Sequence, residues 1–219
     1  MNTHKQRSVF LAAILALGLG ASASRAAPLD DTIVDLQREW ATIKYQVPAK
    51  QQETRYAELA AKARTASKTW PDRAEVLIWE GIVVSSLAGA KGGLGALGLA
   101  KDAKALYEDA LRIAPDALDG SAYNSLGVLY YKVPGWPLGF GDKAKAQELL
   151  QRALAINPRG IDPNYFYGEY LVETGKPSEA LGYLEKALKA PARPGREVAD
   201  AGRREEAQAL LEKARAAAR

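Results

Sequence analysis

Two segments of the sequence carry residue types and spacings that suggest chemistry. The first, Gly89 to Gly98, contains Gly93-x-Gly95-x2-Gly98, the spacing that lets a backbone close on a pyrophosphate at a helix N-terminus. That chemistry needs a strand before the glycines and a βαβ unit around them. Val76 to Val84 has the composition of a strand, but a helical segment comes next and no parallel strands follow. A G-x4-G-K-[ST] pattern is missing as well, which excludes a P-loop. The glycines therefore offer either a plain connector or a tight, backbone-exposing path over a ligand or partner, with Lys91 beside an anionic group. The second segment, Val133 to Asp142, has its path fixed by Pro134, Gly135, Pro137, Gly139 and Gly141. It places two aromatics, Trp136 and Phe140, where polar residues would serve a simple loop. They read either as a cover over the end of a helix pair or as an aromatic anchor and one wall of an apolar pocket. Asp142 is suited to cap the helix that follows it.

Composition removes most catalytic chemistries. The chain has 219 residues, no cysteine, one methionine and one histidine, His4. Disulfides, thiolate nucleophiles, zinc–thiolate sites and iron–sulfur clusters are excluded. His4 lies in a stretch that reads as an export signal: a basic start with Lys5 and Arg7, an apolar run from Val9 to about Leu19, then small residues. The run is shorter than the roughly 20 residues a membrane span needs. Cleavage of a Sec-type signal after Ala26 or Ala23 is expected, with periplasmic localisation and no membrane span afterwards. Removing 26 of 219 residues leaves a chain of 193 without His, Cys or Met, and its formal charge falls from +4 to +1 with Lys5, Arg7 and Arg25. Histidine-dependent catalysis, metal ligation and pH switching then have no residue to work with, and bulk charge gives no reason to expect nucleic-acid binding. Glu80 and Glu169 are the carboxylates expected to be shielded, and neither has a partner that makes a recognised catalytic pair. The chain is accordingly read as a non-enzyme with no cofactor, no metal and no catalytic residues.

What must position these residues is a repeat. Ala103-x3-Tyr107-x2-Ala110-x4-Pro115 recurs 43 residues on as Ala146-x3-Leu150-x2-Ala153-x4-Pro158, and again 34 residues on as Ala180-x3-Leu184-x2-Ala187. Leu59-x3-Ala63-x2-Ala66-x4-Pro71 is a degraded copy 44 residues upstream of the first. A second pattern precedes the good copies: Gly81 within Val76 to Val84, Tyr123-x2-Leu126-Gly127-x2-Tyr130, and Gly168 within Tyr165 to Leu171. Glycine and alanine at fixed places let two helices approach closely, and the proline ends the second helix. Helices are expected at about 30–45, 50–68, 72–88, 100–114, 117–131, 142–156, 162–174, 177–190 and 198–217. The last puts Ala207, Leu210, Leu211 and Ala214 on one side, as a cap over the final apolar face. Arg203 to Glu206 reads as its solvated side, and residues 191–202 as a connector.

The two-helix unit resembles the tetratricopeptide repeat (TPR), with Tyr123, Leu126, Gly127, Tyr130, Ala146, Leu150, Ala153 and Pro158 in the motif places. The resemblance covers roughly Asp72 to Pro191. It implies an all-α, TPR-like helix-turn-helix solenoid in one domain over 27–219, with repeats at about 37–71, 72–115, 119–159 and 161–192. Measured against the 34-residue unit, the second repeat carries 10 extra residues around Gly89 to Gly98 and the third 7 extra around Val133 to Asp142. These are expected as two long Gly/Pro-rich loops lying side by side on one edge. The resemblance also implies a concave groove lined by the first helix of each unit. Carried over, the groove positions are Glu75, Ile78, Ile82 and Ser85, then Ser121, Asn124, Val128 and Tyr131, then Asp162, Tyr165, Glu169 and Val172. Its implied function is protein–protein interaction, as a scaffold or accessory subunit of a cell-envelope complex. An exported chain with such units and long loops also resembles the helical accessory proteins of tripartite (TRAP) transporters. That implies a second function, binding of a small apolar or anionic molecule in a pocket beneath Trp136 and Phe140.

Overall fold

The computed structural model describes residues 23–218, so most of the expected export signal lies outside the described residues. Nine helices follow one another there: α1 (Ala23–Gln46), α2 (Ala49–Thr69), α3 (Ala74–Lys91), α4 (Gly93–Ile113), α5 (Ala117–Lys132), α6 (Lys143–Ile156), α7 (Ile161–Glu173), α8 (Pro177–Leu188) and α9 (Glu197–Ala217). No strand forms among the described residues, and the fold is an all-α helical solenoid of the TPR kind.

The repeat motif works as close packing within each helix pair. A Cβ on Gly127 of α5 would meet Leu150 Cγ of α6 at 2.8 Å, and one on Gly168 of α7 would meet Leu184 Cγ of α8 at 2.8 Å. Gly81 of α3 faces the Tyr107 ring of α4 in the same way. Tyr107, Leu150 and Leu184 are therefore fully buried, as are the motif alanines Ala103, Ala146 and Ala180. Each large side chain so buried contributes about 1.5–3 kcal/mol. Asp142 caps α6 as expected, accepting from Ala144 N at 2.9 Å and Lys145 N at 3.0 Å.

Two features depart from the sequence expectation. The first insertion is not a loop. Its residues lengthen α3 to Lys91 and start α4 at Gly93, leaving only Gly92 between them, with both Gly92 and Gly93 in the left-handed region. The second insertion is the loop expected, held by Gly141 N donating to Pro134 O at 2.9 Å and Asp142 N to Tyr130 O at 2.8 Å. The two insertions do meet, since a Cβ on Gly139 of the loop would touch Leu97 of α4. The right-handed part of α5 begins later than expected, because Leu118, Asp119 and Gly120 form a left-handed turn.

The array closes on itself. The inner helices α1, α3, α5, α7 and α9 each pack on the next, and α9 returns to α1, while α2, α4, α6 and α8 lie outside them. At the junction Gly202 of α9 sits so close to the Tyr45 ring of α1 that a Cβ would overlap it. Ala199 of α9 joins the apolar cluster of Trp40, Leu36, Leu59 and Trp79, so one core spans both ends of the chain.

Replacing Gly168 with valine forces α7 and α8 apart and is expected to lower stability by about 1–3 kcal/mol. Urea unfolding followed by circular dichroism measures this. An unchanged midpoint would show that the helix pair does not depend on that close approach.

Candidate functional site

The five inner helices surround a cavity of about 1020 Å³. One side is aromatic: Trp40 of α1, Tyr56 of α2, Trp79 of α3 and Tyr107 of α4 all line it. Trp40 and Trp79 pack edge to face at 6.0 Å, and Trp40 Nε1 donates to Ser86 Oγ at 2.9 Å. Ser85 Oγ and Tyr107 Oη lie at hydrogen-bond distance, 3.1 Å. Burial pushes the Tyr56 and Tyr107 hydroxyls well above their ordinary pKa, so this side stays neutral. Val128 and Leu129 of α5 continue the apolar surface, and Pro134 and Leu138 bring the second insertion to its edge.

The other side is ionic and is organised around Arg203 of α9. The guanidinium stacks on Tyr165 at 4.5 Å and Phe166 at 4.4 Å, both of α7. Its Nε donates to Asp162 Oδ1 at 3.0 Å and its Nη1 to Glu206 Oε2 at 2.6 Å. Asp162 also accepts from Arg193 at 2.7 Å, and Arg193 reaches on to Asp200 at 2.6 Å. Glu206 in turn accepts from Tyr45 Oη at 3.3 Å and pairs with Lys44 at 3.3 Å, which carries the network across to α1. Burial opposes ionisation of Asp162, but Arg203 and Arg193 outweigh it and hold the carboxyl down to about 2. Further along α7, Glu169 accepts from Tyr131 and Tyr165 and pairs with Lys132 at 3.1 Å.

The residues expected to bind separate into two groups. Asn124, Tyr165 and Glu169 line the cavity, as do Ile82, Ser85, Ser121, Val128 and Asp162. Ile78 does not. It is wholly buried with Ala74, Ala110 and Ala122, because the C-terminal part of α4 and the start of α5 pack over that face of α3. Glu75 and Val172 also lie off the cavity, and Tyr131 stands behind Glu169 and bonds to it. Lys91 is outside as well, half-exposed and 3.8 Å from Glu53. Phe140 packs edge-on against Tyr130 at 5.6 Å with Lys104 over both rings, so it anchors the loop. Trp136 is 90% exposed, so it neither covers a helix pair nor walls a pocket. The cavity is central, and both insertions line part of it, the first through Gly93, Ala96 and Leu97 and the second through Val133, Pro134 and Leu138. Glu80 is buried as expected, 3.4 Å from Arg64.

The ionic side is what the sequence reading missed. Arg203 is buried, not part of a solvated face, and the connector supplies Arg193 and Arg196 to the cavity wall. A signal was present: Gly202 follows Gly168 by 34 residues, one full repeat. The groove rule applied to Gly202 gives Arg196, Ala199, Arg203 and Glu206, and all four line the cavity. Beyond capping the array, α9 is the first helix of a fifth unit. Among the described residues, no group of three His, Cys, Asp or Glu side chains could hold a metal ion, and no helix is long and apolar enough to cross a membrane.

No family model matches the sequence, and no curated protein matches it. Among solved structures the chain is similar to TTC0263, a thermophilic TPR protein in Thermus thermophilus. That likeness has 24% identity and a TM-score of 0.50 over 74% of this chain and 82% of that one. Weaker likenesses are to MamA, with 21% identity and a TM-score of 0.44 over 77% and 91% of the two chains, and to yeast Tom70, with 14% and 0.44 over 86% and 42%. The first of these agrees with the helix order and packing in defining a TPR-like repeat fold.

Asp162→Asn leaves the buried Arg203 and the half-buried Arg193 without their shared carboxylate, and a loss of about 3 kcal/mol is expected. The same carboxylate makes wild-type stability sensitive to acid. Its folded pKa of about 2 lies below the ordinary unfolded value near 4, so its stabilisation, on the order of 2 kcal/mol, is complete above about pH 4 and lost as pH falls toward 2. Urea midpoints measured across that range should fall more steeply for wild type than for Asp162→Asn. Parallel curves would remove Asp162 from the centre of the network.

Proposed function

We propose that this protein is a non-catalytic binding protein of the cell envelope that holds a compact ligand inside its helical ring. The observation that carries this reading is the closure of α9 onto α1. It turns the open concave surface usual in helical repeats into a walled cavity. At about 1020 Å³ the cavity lies at the upper end of the range typical of small-molecule sites, roughly 300–1,000 Å³. Its aromatic side suits an apolar body, and its ionic side is held rigid by mutual pairing before any ligand arrives. A non-catalytic role is supported by the carboxylates: Asp162, Glu169 and Glu206 are all engaged by cations, which leaves none free as a general base. The envelope location rests on the basic and apolar start of the sequence.

A protein contact is the second part of the reading, and a separate observation favours it. Trp136 is 90% and Leu138 73% exposed on the loop at the cavity's edge, and exposed large apolar side chains side by side mark interaction sites. This is the scaffold or accessory role that the repeat fold suggests, with the loop docking a loaded ring onto a partner. An accessory component of a transport system would combine the two activities.

Native mass spectrometry of protein purified from its own periplasm tests the cavity first. A stoichiometric small mass released on unfolding is expected, and Val128→Trp, which fills the cavity, should abolish that load with helix content intact. Wild type without such a mass would favour the scaffold alone. Trp136→Ala should leave the load unchanged and remove crosslinks to any partner polypeptide.

A further inference from the structure

The cations that line the cavity are not all paired. Lys44 is paired with Glu206, Lys132 with Glu169 and Glu173, Arg193 with Asp162 and Asp200, and Arg203 with Asp162 and Glu206. Arg196 is the exception. Among the described residues no carboxylate lies within ion-pair distance of its guanidinium, which sits over the face of Trp79 at 5.2 Å. Its sequence neighbour Glu197 is exposed and turned back to accept from Gly195 N at 3.1 Å.

Unused hydrogen-bonding groups gather in the same wall. Arg196 Nε and Trp79 Nε1, both pure donors, are buried without a partner, and so is the Tyr56 hydroxyl. Trp79 and Tyr56 are only 3% and 2% exposed. Burial, and then the like charges of Arg193 and Arg203, push the Arg196 pKa below the ordinary guanidinium value, although Asp162 and Asp200 act against this. The wall therefore holds one guanidinium with no carboxylate at ion-pair distance, set over the aromatic face of Trp79.

We propose that Arg196 over Trp79 is an anion subsite, and that the ligand of the ring is an organic anion whose apolar body lies against the aromatic side of the cavity. The inference rests on the reading of the cavity as a ligand site. The acidic group pairs with Arg196, and the apolar body reaches toward Trp40 and Tyr107. A neutral ligand of the same shape leaves the charge uncompensated.

A matched pair of fluorescent probes tests this on the whole mature protein. Anilinonaphthalene sulfonate and N-phenylnaphthylamine share an aromatic body, and only the first carries an anionic group. Wild type is expected to bind the sulfonate with one-to-one stoichiometry and at least tenfold more tightly than the amine. Arg196→Gln should abolish that preference while the affinity for the amine stays within twofold, and Arg196→Lys should restore part of it. The unchanged amine affinity separates loss of the charge from loss of the fold. Equal binding of the two probes by wild type, or a preference that survives Arg196→Gln, overturns the anion subsite and leaves the cavity reading standing. If neither probe binds, the cavity reading fails with it.

Discussion

The arrangement depends on a buried guanidinium. Arg203 is stacked on two aromatic rings of α7, paired with Asp162 of the same helix, and linked through Glu206 to Tyr45 and Lys44 of α1. A charge so deeply placed is tolerable only when its donors are satisfied, and here the satisfying groups belong to the helices that α9 must join. Because Gly202 precedes it, α9 lies close enough to α1 for the network to close. Without that junction the repeats would form an open arc. With it, they form a ring with an inside.

The ring decides what kind of binding surface the protein has. Open helical repeats offer a long concave face to an extended partner. Here the inner helices bring aromatic residues from α1 to α4 opposite an ionic arc from α7, the connector and α9. Most charges in that arc neutralise one another, so the polar side is fixed in place at no cost to a ligand in side-chain ordering. Trp136 and Leu138 are exposed on the loop whose Pro134 and Leu138 reach the edge of the same cavity.

Much of this was legible from residue spacing. The recurring Gly, Ala and Pro positions predicted the helix pairs, and Gly127 and Gly168 do meet Leu150 and Leu184. The reading of Gly89 to Gly98 as a loop went wrong for a physical reason. Glycine disfavours helix by about 1 kcal/mol per residue, yet Leu97 and Ala100 among those glycines pack on neighbours and carry the helix through. Ile78 went to the core because Ala110 of α4 and Ala122 of α5 close over its face. Arg203 to Glu206 looked like a solvated run because charge at helical spacing usually is one, and nothing local distinguishes an arginine that meets water from one that meets Asp162 on another helix.

The sequence by itself determined the helical elements, their pairing and the absence of histidine and cysteine chemistry from the chain after Ala26, since periodicity and composition are local properties. The tertiary structure decided whether the repeats closed, which arginines were buried and which one was left unpaired. Ring closure rests on contacts between residues more than a hundred positions apart, such as Tyr45 with Glu206, and spacing along the chain does not encode the small rotation per repeat that brings two ends together.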